Sequence, residues 1–131
     1  MEQSNFVVIE PEVKHLGTDP ETFEDFSFVG QSYCIDFILP SNLNCQEYAV
    51  MQCRTKNIQL SNKEFLVNKK QLANILEPHP NSPNEWMVDI AVVPEDWLEK
   101  GKNEIHIGYL THQRDDFLID NVVLFFKIMS D

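Results

Sequence analysis

The chain has 131 residues, 21 acidic against 10 basic side chains, a formal net charge of -11 and a hydrophobic content of 43%. This length and apolar content suit one folded domain and exclude a fibrous or wholly disordered chain. The negative charge argues against a nucleic-acid partner, because phosphates repel it. No apolar run reaches the roughly 20 residues that cross a bilayer, so we expect no membrane partner.

The N-terminal segment, residues 1–25, is strongly acidic, and we predict that it is partly extended or mobile. Its acidic side chains far outnumber its one base, whereas residues 54–70 are mainly basic. Such patches are usually solvated, but the two can also pair within one chain or between copies. The segment lacks the features of an export signal, so we expect a cytoplasmic protein. Three cysteines without a C-x-x-C pair favour free thiols in a reducing compartment.

Alternating hydrophobicity predicts short β-strands from residue 33 onwards. In residues 33–39 the odd-numbered side chains form one apolar face, and residues 103–110 repeat this pattern. A period of two is typical of a strand with one face buried. Between them, residues 47–54, 57–60 and 64–67 are strand-like runs separated by turn-forming residues.

Residues 85–99 are predicted to contain a strand followed by a single helical turn. Within this strand we expect the core to be contacted by Trp86, Val88, Ile90 and Val92. Residues 94–99 begin with proline, carry acids in the first turn and are followed by Gly101, which favours a helical turn. Short strands at this spacing predict an all-β fold, a single antiparallel β-sandwich of jelly-roll type.

The last predicted strand, residues 117–128, is apolar on both faces. An antiparallel strand normally has one polar face towards water, so the second face must be covered. The N-terminal segment, the loop with Phe23 and Phe26, or another protein chain are the alternatives. If another chain supplies the cover, the homo-oligomer interface comprises Phe117, Ile119, Val123 and Phe125.

Two motifs in the C-terminal half suggest a family. The pattern Leu-x-x-Gly-x-Asn-x-Ile-x-Ile occurs at residues 98–107, and Leu-Ile-Asp-Asn-Val-Val-Leu occurs at residues 118–124. With the hairpin-like residues 64–72, they resemble the galactose-binding-like jelly roll, which includes sugar-binding domains of glycoside hydrolases. Lys69 departs from that pattern, since a glycine is expected there. The resemblance implies the fold more than any ligand.

The same resemblance implies a possible structural calcium. Several domains of this kind hold calcium between a carboxylate of an early strand and an Asp near the last strand. The corresponding side chains are those of Glu10, Glu12 and Asp120. Calcium binds six to eight oxygens, which carboxylates from separate strands can supply. The alternative is that these residues are surface acids of an acidic protein.

No sequence motif points to catalysis. The chain contains no P-loop, no G-x-S-x-G, no G-x-G-x-x-G and no H-E-x-x-H, so we expect a protein that is not an enzyme. We predict a non-catalytic binding or assembly module that self-associates through an apolar strand face. The alternative is a carbohydrate-binding module, whose candidate ligand-binding side chains are those of Tyr48, His79, Trp86, Tyr109 and His112.

Overall fold

A computed structural model of the chain describes residues 2–129. Over this range it contains strands and turns but no α-helix, which confirms the all-β prediction; accordingly, no helix in it is long and apolar enough to cross a membrane. The strands are β1 (Glu2–Glu10), β2 (Lys14–Leu16), β3 (Ser27–Gly30), β4 (Ser32–Leu39), β5 (Ala49–Lys56), β6 (Lys63–Val67), β7 (Lys70–Gln71), β8 (Trp86–Val93), β9 (Gly101–Tyr109) and β10 (Phe117–Met129).

The strands form two sheets that enclose one core, which confirms the predicted β-sandwich. The first sheet has the order β3-β2-β10-β5-β8, with β1 also paired to β10, and the second has the order β4-β9-β6-β7. Strands β2 and β3 pair in parallel, and the other described pairs are antiparallel. Phe65, Ile107 and Leu124 are fully buried between the sheets. Burial of this apolar layer is the main stabilising contribution to the fold.

Strand β8 presents the opposite face to the core from the one predicted. Val88, Ile90 and Val92 are 57%, 60% and 59% exposed, whereas Ala91 and Val93 are buried. Both faces of this strand carry apolar side chains, so alternation alone cannot decide which face is buried. The prediction that the larger side chains of β8 contact the core is wrong.

Asp89 lies on the buried face of β8, where it binds the loop between β7 and β8. Its Oδ2 accepts a hydrogen bond of 2.9 Å from the backbone N–H of Leu76. His79 Nε2 lies 3.8 Å from Asp89 Oδ1. Burial raises the pKa of Asp89, and the hydrogen bond from Leu76 and the nearby His79 only partly oppose this. The ionised carboxylate therefore has a cost in the folded state.

We expect the substitution Asp89→Asn to raise the melting temperature at neutral pH. A carboxyl group whose pKa is raised by folding loses stability as the pH rises through the folded pKa, and asparagine keeps an oxygen acceptor for Leu76 without the charge. The advantage should shrink as the pH is lowered from about 7 to about 4, where Asp89 takes up a proton. Thermal unfolding across this range measures it. A difference that does not vary with pH would contradict this assignment.

The predicted helical turn at residues 94–99 is wrong. Asp96 has a φ of 68°, in the left-handed region, which interrupts a right-handed helix. Its N–H donates a hydrogen bond of 2.8 Å to the carbonyl of Cys45, so the turn is tied to the loop after β4. The side chain of Asn103 also holds this turn, since it donates to the carbonyl of Glu99 at 2.7 Å and accepts from the N–H of Glu99 at 2.8 Å.

Strand β10 changes the side that it presents to the core. Asn121 has a left-handed φ of 47°, and the pairing with β5 is irregular at this point, which defines a β-bulge. Before the bulge, Phe117 and Ile119 are fully buried in the core, and after it the even-numbered Val122 and Leu124 take this place. The interface prediction is therefore wrong for Phe117 and Ile119, because their own chain buries them.

Strand β1 lies beside β10 and extends the first sheet. Phe6 pairs with Phe125 and Val8 pairs with Val123 in the antiparallel register. The rings of Phe6 and Phe125 have centroids 6.2 Å apart. Because β1 is hydrogen-bonded edge to edge, it does not cover the second face of β10. It adds two more apolar side chains to that face.

The loop after β2 covers only one end of this face. His15 and Leu118 are register partners, and both are buried. The rings of Phe23 and Phe28 pack edge-on against the His15 ring, with centroids 5.0 and 4.9 Å away. Intramolecular cover therefore ends near Leu118. The part of β10 beyond the bulge has an open outer face.

Candidate functional site

A largely apolar surface, interrupted by Gln52 on β5, crosses four strands on the outer face of the first sheet. In one row of register partners, Val92 on β8 pairs with Val50 on β5. Val50 pairs with Phe125 on β10, and Phe125 pairs with Phe6 on β1. Phe6, Ile90 and Phe125 are 60%, 60% and 41% exposed. We call this surface the apolar face, and it consists of Phe6, Val8, Val50, Val88, Ile90, Val92, Val123 and Phe125. Exposed apolar patches of this extent mark interaction sites.

Polar and charged side chains frame the apolar face at both ends. At one end, Arg54 donates hydrogen bonds of 2.9 and 2.6 Å to the carboxylate of Asp120. This hydrogen bonding raises the pKa of Arg54, and the guanidinium carbon lies 4.6 Å from the ring centre of Trp86. At the other end, Lys127 donates a hydrogen bond of 2.9 Å to Ser4 Oγ. An apolar centre with a polar rim is the usual anatomy of a protein interface.

Two of the predicted ligand-binding residues border the apolar face. Tyr48 is 53% exposed and lines a small depression of about 110 Å³ together with Val50, Phe125 and Lys127. Trp86 is half-buried on the outer side of β8, beneath Arg54, and not in the core where the alternation placed it. An aromatic side chain at an interface edge supplies contact area and a polar group.

The other predicted ligand-binding residues lie elsewhere. Tyr109 and His112 line a groove of about 260 Å³ on the outer side of the second sheet. The hydroxyl of Tyr109 donates a hydrogen bond of 2.7 Å to the carbonyl of Asp115, and burial raises the pKa of Tyr109. His79 lies beside Asp89 in the loop before β8. The five residues therefore do not form one site. We call the groove the His106 groove, and its lining consists of Gln31, Ser32, Glu64, His106, Tyr109, Leu110, Thr111 and His112.

A cleft of about 450 Å³ lies at one end of the sandwich, where three loops meet. The sequence interpretation missed this cleft, because its residues come from loops that are distant along the chain. We call it the end cleft, and its lining consists of Thr22, Asn57, Gln59, Leu60, Arg114, Asp115 and Asp116. Neutral amide and hydroxyl groups and one guanidinium provide hydrogen-bonding atoms.

Buried charges hold the floor of the end cleft. Asp115 accepts hydrogen bonds from the N–H groups of Gln59 and Leu60, at 3.0 and 2.9 Å. Its Oδ2 also accepts a hydrogen bond of 2.5 Å from Lys63 Nζ. Burial lowers the pKa of Lys63, and the carboxylate of Asp115 opposes this. Asp116 Oδ1 lies 2.8 Å from the Nε2 of the buried His15. These contacts join the loop between β5 and β6 to the loop between β9 and β10, and they tie the latter to strand β2.

The predicted calcium ligands do not fit a calcium site. Both carboxylate oxygens of Asp120 are bound by Arg54, and Lys14 Nζ lies 3.9 and 3.7 Å from Glu10 and Glu12. Asp120 is thus already paired with a cation of the protein, and Glu10 and Glu12 share a second one. Across the part of the chain that the structure describes, no group of three or more His, Cys, Asp or Glu side chains is placed to hold a metal ion.

Comparison with known proteins gives a shared fold. No family model matches the chain, and no curated protein matches it significantly in sequence. A β-porphyranase of glycoside hydrolase family 86 from the human gut bacterium Bacteroides plebeius is similar over 95% of this chain, with a TM-score of 0.59 and 9% identity. Wild-type BuGH86 in complex with neoagarooctaose is similar over 97% of this chain, with a TM-score of 0.54 and 13% identity. The chain spans only 20% and 19% of those two structures.

Proposed function

We propose that this chain is an assembly module that binds a second copy of itself through the apolar face, and that this face takes no part in catalysis. The observation that carries this proposal is the open row of apolar side chains across β8, β5, β10 and β1. Val92, Ile90 and Phe6 are each about three-fifths exposed in the single chain. Leaving such a surface in water forgoes roughly 25 cal/mol for each Å² that could be buried.

A second copy suits this surface in shape and in charge. Two sheet faces pack about 10 Å apart in a β-sandwich, and the same packing can join the apolar faces of two copies in a symmetric contact. Arg54, Lys56 and Lys127 lie on or beside this face, although the whole chain has a net charge of -11. These bases weaken the repulsion between two acidic chains at this surface.

A double variant that carries both Phe125→Thr and Ile90→Thr tests this interface. Threonine keeps β-propensity and removes most of the apolar contact, so we expect the dimer dissociation constant to rise about tenfold or more. Light scattering after size exclusion, at about 10 to 100 micromolar protein, measures the mass of the wild type and of the variant.

The matched control is Ile38→Thr, because Ile38 is 68% exposed on the outer face of the second sheet. We expect it to leave the dimer unchanged. A wild type that stays a monomer over this range would reject self-association, and so would an equal loss of dimer in the Ile38→Thr control.

The second candidate function is that of a carbohydrate-binding module of the galactose-binding-like type. It is favoured by the end cleft, where Asn57, Gln59 and Arg114 offer polar groups that suit sugar hydroxyls. The names of the similar solved structures include a β-porphyranase and a complex with neoagarooctaose. Calorimetric titration with neoagarooctaose tests it, and Gln59→Ala should weaken any binding while the exposed Gln46→Ala should not. Heats equal to those of dilution would reject this candidate for that sugar.

A reducing compartment, such as the cytoplasm, agrees with the three cysteines. Cys34 is exposed, Cys45 is half-buried and Cys53 is buried, and all three are free thiols. Burial raises the pKa of Cys53, and the nearby Asp89 acts in the same direction. The Cys53 thiol is therefore protonated and unreactive in the folded chain.

A further inference from the structure

Three side chains with complementary chemistry meet in the His106 groove. Ser32 Oγ lies 2.8 Å from His106 Nε2, and Glu64 Oε1 lies 3.6 Å from the other ring nitrogen, His106 Nδ1. The side chains of His106 and Glu64 are 26% and 21% exposed, and Ser32 is exposed. A hydroxyl, an imidazole and a carboxylate in this order are the groups that activate a nucleophile, with the base oriented by the acid.

The sheet itself assembles this cluster around a glycine. Ser32 on β4 and Glu64 on β6 are the two register partners of Gly108 on β9. A Cβ atom added to Gly108 would lie 3.3 Å from His106 Nε2 and 3.5 Å from Glu64 Oε1. Because glycine leaves this space open, the His106 ring, two residues away on β9, can reach both neighbouring strands. The cluster therefore stands on three hydrogen-bonded strands and not on a loop.

We propose that Ser32 is a nucleophile activated by His106, that Glu64 is a positioning residue, and that the His106 groove accepts a small carboxylic ester. This activity goes beyond the assembly function, which uses the outer face of the opposite sheet, and does not depend on it. The groove volume of about 260 Å³ limits the substrate to a small acyl group and part of its alcohol.

The chemical step is hydrolysis in two stages. Ser32 Oγ forms a bond to the acyl carbon while its proton moves to His106 Nε2, and the ester C–O bond breaks as the leaving alcohol takes that proton. Water then attacks the acyl carbon and passes a proton to His106. The bond between the acyl carbon and Ser32 Oγ breaks as His106 returns this proton to Oγ, which releases the carboxylic acid and regenerates both side chains. The net reaction is ester plus water giving acid plus alcohol.

Glu64 acts through His106. For Nε2 to accept the serine proton, the neutral imidazole must carry its proton on Nδ1, and a carboxylate facing Nδ1 favours this tautomer. The same carboxylate stabilises the imidazolium that forms during the step. Gln31, Thr111 and His112 line the groove and carry hydrogen-bond donors of the kind that stabilise an oxyanion.

The test measures hydrolysis of 4-nitrophenyl acetate and covalent labelling by an arylsulfonyl fluoride, with the full chain. We expect one label per chain at Ser32 by peptide mass spectrometry. Ser32→Ala and His106→Ala should each lower the hydrolysis rate roughly 100-fold, the scale of general acid–base catalysis. Ser41→Ala, a change of an exposed serine in the turn after β4, should lower neither the labelling nor the rate.

Ser32→Ala is the decisive variant, because a histidine alone can hydrolyse this activated ester. A rate that falls in His106→Ala but not in Ser32→Ala would overturn the proposal, and so would the absence of label at Ser32. Glu64→Gln tests the positioning residue through separate measurement of kcat and KM. We expect kcat to fall while KM is unchanged, and Glu64→Asp to recover part of kcat; an unchanged kcat would reject this role for Glu64.

Discussion

Lys63→Met is expected to lower the free energy of unfolding by roughly 3 to 5 kcal/mol, the usual cost of breaking a buried ion pair. The Lys63 and Asp115 side chains are 1% and 4% exposed, and their charged atoms lie 2.5 Å apart. Methionine fills a similar volume but leaves the carboxylate of Asp115 without its cation. Two loops that Asp115 joins would then lose part of their connection. Equilibrium unfolding in urea measures the change.

The matched control for this prediction is Lys102→Met on the outer face of the second sheet. Lys102 Nζ lies 3.2 Å from Asp36, but the two side chains are 70% and 53% exposed. Water screens such a pair, so we expect a change of at most about 1 kcal/mol. If Lys63→Met and Lys102→Met lowered the free energy of unfolding by the same amount, the buried pair would have no special role in stability. The double change Lys63→Met with Asp115→Asn should recover part of the loss, because no unpaired charge remains and the amide oxygen still accepts from the N–H groups of Gln59 and Leu60.

Gly17→Ala is expected to destabilise the fold by about 3 kcal/mol or more, through strain and a displaced carboxylate. Gly17 has a φ of 151°, and an added Cβ would lie only 1.8 Å from Asp116 Oδ1. That oxygen is the hydrogen-bonding partner of the buried His15 and also accepts the N–H of Asp19 at 3.1 Å. An alanine must therefore push Asp116 away from His15. Thermal and urea unfolding measure the loss.

Gly30→Ala separates the backbone strain from the displaced carboxylate. Gly30 has a φ of 83°, but no heavy atom lies within 4 Å of its added Cβ. We expect a loss of roughly 1 to 2 kcal/mol from the left-handed conformation alone. Equal losses in the two variants would show that the contact with Asp116 contributes nothing.

Strands with one polar face could be assigned correctly from the sequence. In β4 the odd-numbered residues from Tyr33 to Leu39 face inward, and Cys34, Asp36 and Ile38 between them face water, as predicted. The same holds for Ile105 and Ile107 in β9. For these strands only one orientation buries apolar area without burying polar groups, so alternation decides the face.

Strands with two apolar faces could not be assigned in this way. In β8 the face that carries Ile90 and Val92 is open, and in β10 the bulge at Asn121 exchanges the two faces. The alternation of apolar and polar residues does not reveal a single residue in a left-handed conformation, because such a residue leaves the hydrophobic pattern of the sequence unchanged. These two strands supply most of the apolar face, so the surface proposed for assembly was only partly visible in the sequence.

The candidate sites depended still more on contacts between distant strands. Of the acids predicted to bind calcium, Asp120 is paired with Arg54, and Glu10 and Glu12 share Lys14, two bases that the motif did not include. Ser32, Glu64 and His106 come together only because β4, β9 and β6 are neighbours in the second sheet. The spacing of these residues along the chain does not predict that they meet, because the packing of the whole chain sets the order of the strands in a sheet.

By itself, the sequence determined an all-β chain with a strong acidic charge, since strand periodicity and composition are local properties. The tertiary structure decided which faces are buried, which charges are paired and which polar groups share a groove. It decided them because burial, ion pairing and hydrogen bonding act between residues that are remote in sequence and adjacent only in the folded sheets.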